Sequence, residues 1–198
     1  MAKKTLRMVQ LALLAAIIIL LQQLVIPLPG GLTLSLVLVP IVVGGILFGA
    51  AAGAGLGAVF GVVVSFLVIT GRAGVLSEMM WVAHPVLTIT VCMLKGIAAG
   101  WVAGILPRLW KGKPFGGILL AAAAVPVVNT GVFVLGLFTC FRDVLTQFIA
   151  FSSSAELMSH SLVYVVLVFI VGVNFLVEFA ANLVLAPAIA SIVRAVRK

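Results

Sequence analysis

Acidic residues are nearly missing from this chain, which has 4 Asp and Glu against 12 Lys and Arg in 198 residues. Charged residues of both signs make up 8% of it, and histidine and cysteine occur twice each. A soluble globular domain carries about 25% charged residues, so an ordinary water-facing surface is excluded. The two histidines have no metal-ligand spacing and there is no Cys-x-x-Cys pair, so neither a zinc nor a dithiol redox centre is expected. A P-loop and a nucleophile elbow are also missing. The chain is therefore expected to be no enzyme and to hold no cofactor or metal, and any uphill transport would draw its energy from a partner or from an ion gradient. Cys92 falls mid-helix and Cys140 at a helix end, so no bridge between them is expected.

Apolar residues are what the chain has in quantity. They form 65% of it, and the mean hydropathy is +1.43. Nearly every residue sits in or beside an apolar run, so residues 1–198 read as a single polytopic domain, an all-α integral membrane protein. A net charge of +8 would point to nucleic acid in a soluble protein. Here the basic residues flank apolar runs, so they orient the chain in a lipid bilayer and no nucleic-acid partner is expected. The first apolar run lacks a small-residue cleavage site and leads into further spans, so it reads as a retained helix rather than a signal peptide.

Six transmembrane helices fit, at about residues 6–26, 34–48, 50–70, 81–106, 115–138 and 161–186. Two prolines and two glycines in residues 27–31 stop the first. Glycines 45, 49, 53, 57 and 61 recur every fourth residue, a smooth stripe whose ordinary use is close helix contact. Residues 71–80 read as a loop and 107–114 as a tight basic turn. The longest connection, 139–160, contains DVLTQFIAF, which has the pattern of a short amphipathic surface helix. Pro187 is expected to kink the last span before a basic tail. Lys3, Lys4, Arg7, Arg108, Lys111, Lys113, Arg194, Arg197 and Lys198 all fall on one side of this arrangement. The other side holds Arg72 and Arg142, offset by Glu78, Asp143 and Glu156. The positive-inside rule then puts both termini in the cytoplasm.

Span four carries Lys95 well inside, where an ammonium costs about 2.5–3.5 kcal/mol even on insertion scales. It lies too far from either helix end to reach water by snorkelling. Lys95 should therefore face the bundle interior and meet an anion, either a protein carboxylate or a bound ligand. Span six offers Asn174, Glu178 and Asn182 at i, i+4 and i+8, which is one polar stripe on a helix. Counted inward from the same side, Lys95 and Glu178 reach similar depth, about 20–25 Å along each helix. Two readings stand: the two charges clip two helices together, or one or both contact a polar solute.

Asn129 follows Pro126 by three residues and either satisfies the carbonyl that the proline frees or lines the same interior as Lys95. His84, near the outer rim, is a ligand contact or is bonded to loop backbone. Gln22, Gln23 and Arg72 are ligand contacts or, by default, interfacial and solvated, and Trp81 and Tyr164 read as the rim aromatics.

A basic lead-in followed by TLRMVQLALLAAIIILLQQ, then PLPGGLTLSLVLVPIVVGGILFGAAAGAGLGAVFG, the basic turn after span four and a polar-striped last helix together resemble a known family. The whole chain looks like a substrate-binding S component of an energy-coupling factor (ECF) vitamin transporter. The resemblance implies a six-helix protein of the prokaryotic plasma membrane that takes a water-soluble vitamin or precursor at an outward-facing site. It implies as partners a transmembrane coupling protein and two cytoplasmic ATPase subunits. Ala12 and Ala16 match the small-residue motif by which such components dock on the coupling subunit. The cation in span four and the VNTG of span five look most like pantothenate-type members, with Lys95, Asn129, Asn174, Glu178 and His84 as substrate-binding candidates. Two other classes compete. One is a stand-alone ion-coupled secondary carrier titrating at Glu178, although no internal repeat of the sort many carriers show is present. The other is a membrane scaffold in which Lys95 and Glu178 form a structural clip.

Overall fold

The computed structural model describes residues 2–24, 26–28, 32–34, 36–151 and 161–197. Helix α1 (Ala2–Gln23) is followed by a hairpin of β1 (Ile26–Leu28) and β2 (Leu32–Leu34), then α2 (Leu38–Phe48) and α3 (Ala50–Ile69). Next come α4 (Val75–Ala83), α5 (Pro85–Leu109), α6 (Pro114–Cys140) and α7 (Arg142–Phe151). A helical turn, Leu162–Tyr164, passes through a π-helical stretch, Val165–Ile170, into the last helix, Gly172–Arg197. Among the described residues, five helices are long and apolar enough to cross a membrane: Lys4–Gln23, Ala50–Ile69, Pro85–Leu109, Pro114–Cys140 and Asn174–Val196. Their exposed side chains are largely apolar, as at Leu13, Val62, Leu135 and Val184, which suits hydrocarbon surroundings.

The sixth apolar helix, α2, has 11 residues and rises only about 16 Å, roughly half a hydrocarbon core. It is hydrophobic on all sides because it is enclosed, touching α1, α3, α5, α6 and the last helix. Its Leu38, Ile41 and Val42 are buried in one cluster with Ile18, Ala99, Ala103, Val125 and Ile189. The hairpin occupies the chain between α1 and α2, with Ile26 opposite Leu34 and Leu28 opposite Leu32. β2 lies against the last helix.

The glycine stripe finds a matching stripe on α5. A Cβ on Gly57 would overlap the Gly96 carbonyl oxygen, and one on Gly53 the Gly100 carbonyl. In the reverse direction, Cβ atoms on Gly96 and Gly100 would overlap the carbonyls of Gly57 and Gly53. Gly61 sits where a Cβ would lie 2.9 Å from the Cys92 carbonyl oxygen. Backbone therefore touches backbone along α3 and α5, which small residues alone allow. That contact fixes the register of Lys95, beside Gly96, against Phe60, beside Gly61.

Several sequence expectations need correction. The fourth span begins at Pro85 rather than Trp81 and runs to Leu109. His84 precedes a proline and takes an extended ψ of 74°, which ends one helix before Pro85 starts the next. Residues 75–83, expected in a loop and the start of span four, form the separate helix α4. Buried Thr88 ties this elbow together, its hydroxyl donating to the Met80 and His84 carbonyls at 2.8 and 2.9 Å. Span two starts at Leu38, and the hairpin adds strands to an expected all-α architecture. The last helix runs through Pro187 to Arg197, past the expected end of span six at residue 186. The DVLTQFIAF segment is helical as expected, within α7, which buries Val144 and Leu145 against Met80, Leu137 and Phe141. Pro29, Gly30, Gly31 and Glu156 lie outside the described residues.

Candidate functional site

A cavity of about 400 Å³ opens between α1, α2, α3, α5, α6 and the last helix. Its polar lining comprises Gln22, Arg72, Ser77, Lys95, Asn129, Asn174 and Glu178. All sit at the same end of the bundle, which is opposite to the 107–114 turn. Each residue arrives by a different route. The α3–α5 glycine contact sets Lys95, the interior of α6 presents Asn129, and the first turns of the last helix present Asn174 and Glu178.

Lys95 is held between two phenyl rings, its Nζ 5.7 Å from the Phe60 centroid and 5.3 Å from the Phe133 centroid. Ring faces carry negative quadrupole density and stabilise a desolvated ammonium by about 0.5–2 kcal/mol each. They do so without neutralising it, so the charge stays available to a solute. Among the described residues, the one ion pair within 4 Å is His84–Asp143. Lys95 and Glu178 face the same cavity without such a contact, whereas a structural clip would require one. Two cations, Arg72 and Lys95, outnumber the single carboxylate Glu178 in the lining, so the site favours an anion.

Asn129 is buried and its Oδ1 has no hydrogen-bond partner, as is true of Gln22 Oε1. Asn182 Oδ1, away from the cavity, is likewise without a partner, whereas Gln22 and Asn129 both line the cavity, where a solute could donate to them. Asn182 continues the stripe without lining the cavity. It is fully buried, and its side-chain amide donates to the Glu178 carbonyl at 2.9 Å. That bond braces the turn that carries Glu178.

The structure thus brings Lys95, Asn129, Asn174 and Glu178 together and leaves His84 outside. His84 Nε2 lies 3.2 Å from Asp143 Oδ2, and its ring is tilted on Phe141 at 5.9 Å. The Asp143 carboxyl sits below its ordinary value, first through a bond from the Val144 backbone N–H and then through His84. Ala12 and Ala16 are both exposed on α1, one turn apart. Phe60 and Phe133 are the site aromatics, in place of the rim candidates Trp81 and Tyr164, which do not line the cavity. Gln22, Arg72 and Ser77 join the lining too. The sequence offered Gln22 and Arg72 as interfacial residues that could touch a ligand and gave no sign of Ser77, because only the tertiary fold places the end of α1 and the start of α4 on this cavity. Among the described residues no group of three or more His, Cys, Asp or Glu can hold a metal.

The described residues thus form a helical bundle, five of whose helices are long and apolar enough to cross a membrane, around a mixed-charge cavity near one end. The family model for the ECF transporter, substrate-specific component, matches residues 6–190, and the chain belongs to that family. Members are substrate-binding subunits of transporters rather than enzymes, and membership implies association with the ECF module of membrane and ATPase subunits. No curated protein matches the chain.

Proposed function

We propose that this S component captures a water-soluble vitamin or precursor, pantothenate foremost, from outside a prokaryotic cell. A transmembrane coupling protein and two cytoplasmic ATPases then carry out uptake, in a plasma membrane that the chain crosses six times with both termini inside. The observation that carries the reading is Lys95, held between Phe60 and Phe133 with no carboxylate of the described residues within 4 Å, on a cavity it shares with Asn129, Asn174 and Glu178. Pantothenate has a carboxylate, two hydroxyls and an amide. Lys95 and Arg72 suit the carboxylate, while Asn129, Asn174 and Gln22 suit the hydroxyls and amide, and Glu178 accepts from a hydroxyl. A volume of about 400 Å³ falls within the ~300–1,000 Å³ of small-molecule sites. The cavity lies away from the basic end, so the positive-inside rule turns it outward.

The test is isothermal calorimetry on detergent-solubilised protein, with pantothenate and a panel of other water-soluble vitamins as titrants. Tight binding of pantothenate without partner subunits is the expected result. Preference for another vitamin would replace the substrate, and folded protein that binds none of them would end the vitamin reading.

A further inference from the structure

The end of the bundle remote from the solute cavity holds a second polar hollow that the transport reading does not use. It is a crevice of about 460 Å³ between α2, α5, α6 and the last helix, flanked by Arg108 and Arg194. Its remaining walls are Ile46, Leu47, Ile118 and Val193, together with two prolines. Arg194 also borders an adjoining hollow of about 410 Å³ that continues along Phe115, Ile118 and Ala190, with Lys113 at its edge.

Both guanidiniums are positioned and uncompensated. Gly49, at φ +94°, supplies the bare backbone on which the Arg108 guanidinium lies, and a Cβ there would overlap it. Arg194, which lines the crevice, donates its Nε–H to the Ala190 carbonyl at 3.2 Å. The C-terminus of α2 is already served by Arg7, which donates to the Phe48 carbonyl at 3.1 Å. Among the described residues no acidic side chain lines this crevice. Glu78, Asp143 and Glu178 stand at the other end, and the one ion pair among the described residues is there as well. Two forked donors facing one crevice match the oxygens of a phosphate, and continuous apolar walls match the glycerol and first methylenes attached to it.

We propose that the Arg108–Arg194 crevice binds the phosphate headgroup of an anionic membrane lipid. This site is separate from the vitamin cavity and stands on its own if that reading fails. A free phosphate shares the headgroup chemistry but makes no use of the Phe115–Ile118 wall, so the lipid is the occupant.

Native mass spectrometry of the full chain in detergent tests this, with phosphatidylglycerol and phosphatidylcholine of identical acyl chains as probes. Phosphatidylglycerol should be retained in preference. R108Q/R194Q should weaken that preference roughly 30-fold, about fivefold per guanidinium. R108K/R194K should keep most of it, and K4Q/K111Q, which alters charge at the same end outside the crevice, should leave it within about twofold. Equal retention of the two lipids would overturn the proposal, as would an equal loss in K4Q/K111Q. Displacement of the lipid by millimolar inorganic phosphate would assign the crevice to a free anion instead. Unchanged lipid retention in R108Q/R194Q would assign the arginines to another partner. Thermal unfolding of each variant separates loss of the site from loss of the fold.

Discussion

The Lys95 ammonium stands 5.3 Å from the centre of the Phe133 ring, and Phe60 closes on it from the other side at 5.7 Å. This arrangement explains how a chain with so few acids keeps a cation at membrane depth. The rings lower the cost of desolvation while leaving the positive charge uncancelled, which a carboxylate partner would not do. Ligand capture should therefore depend steeply on this amine. Lys95→Met should raise the Kd of an anionic substrate at least 30-fold, about 2 kcal/mol, because the ligand carboxylate would be buried without its partner. Calorimetry on the purified variant reads this directly. Unchanged affinity would remove Lys95 from the site.

Arg72 offers a contrast. It follows α3, is largely exposed, and reaches the same cavity from the rim. An exposed charge is screened within about 8 Å at physiological ionic strength, whereas a buried one is not. Arg72→Gln should therefore weaken binding only about three- to tenfold, and the loss should shrink as salt rises. Titration from low to high salt in both proteins separates the two cations. An equal, salt-independent loss would place Arg72 as deep in the binding event as Lys95.

The glycine contact between α3 and α5 predicts opposite outcomes for neighbouring substitutions. Gly57→Ala forces a methyl into the Gly96 carbonyl, so the helices must separate, with a loss of roughly 1–3 kcal/mol. Gly55, two residues earlier, has open space where its Cβ would be. Gly55→Ala should be neutral or up to about 1 kcal/mol stabilising, because alanine is the better helix former. Thermal unfolding in one detergent distinguishes them. Because Lys95 adjoins Gly96, Gly57→Ala should also weaken ligand binding without touching the cavity.

The His84–Asp143 contact joins the α4–α5 elbow to α7 and gives an acid-side pH dependence. The Asp143 carboxyl is lowered from its ordinary 3.8 by the Val144 N–H and then by His84. A depressed folded value means that the stabilisation is present above the ordinary value and is lost as pH falls through the folded one. Parent and Asp143→Asn should thus differ in thermal stability at neutral pH and converge below about pH 4. Convergence already at pH 6 would mean that the carboxylate does not hold α7.

How much of this was legible beforehand depended on which contacts were local. The apolar runs and the polar stripe Asn174–Glu178–Asn182 follow from short-range period, whereas helix ends do not: the last helix runs to Arg197, past the expected end at residue 186. The break at His84 was signalled by Pro85, but a continuous apolar run through Trp81 masked it. Lys95 was conspicuous because a charge in an apolar run is costly anywhere. Phe60 and Phe133 were not, since 12 phenylalanines look alike until helices are packed. Gln22 and Arg72 look interfacial in one dimension and reach the cavity only through the fold.

Ala12 and Ala16 supply the last prediction, which separates capture from coupling. Both are exposed on α1, one turn apart, on a helix that is scarcely buried within the chain. Small residues on an outward face permit a partner helix to approach backbone to backbone, and bulk at those points prevents it. Neither residue lines the cavity. Ala12→Leu with Ala16→Leu should therefore leave vitamin affinity within about twofold while reducing co-purification with the ECF module by tenfold or more. Coupled uptake would fall with it, whereas binding to the isolated subunit would not. A double variant that assembles normally would move the docking face off α1, and one that loses ligand as well would show that α1 supports the cavity from which Gln22 projects.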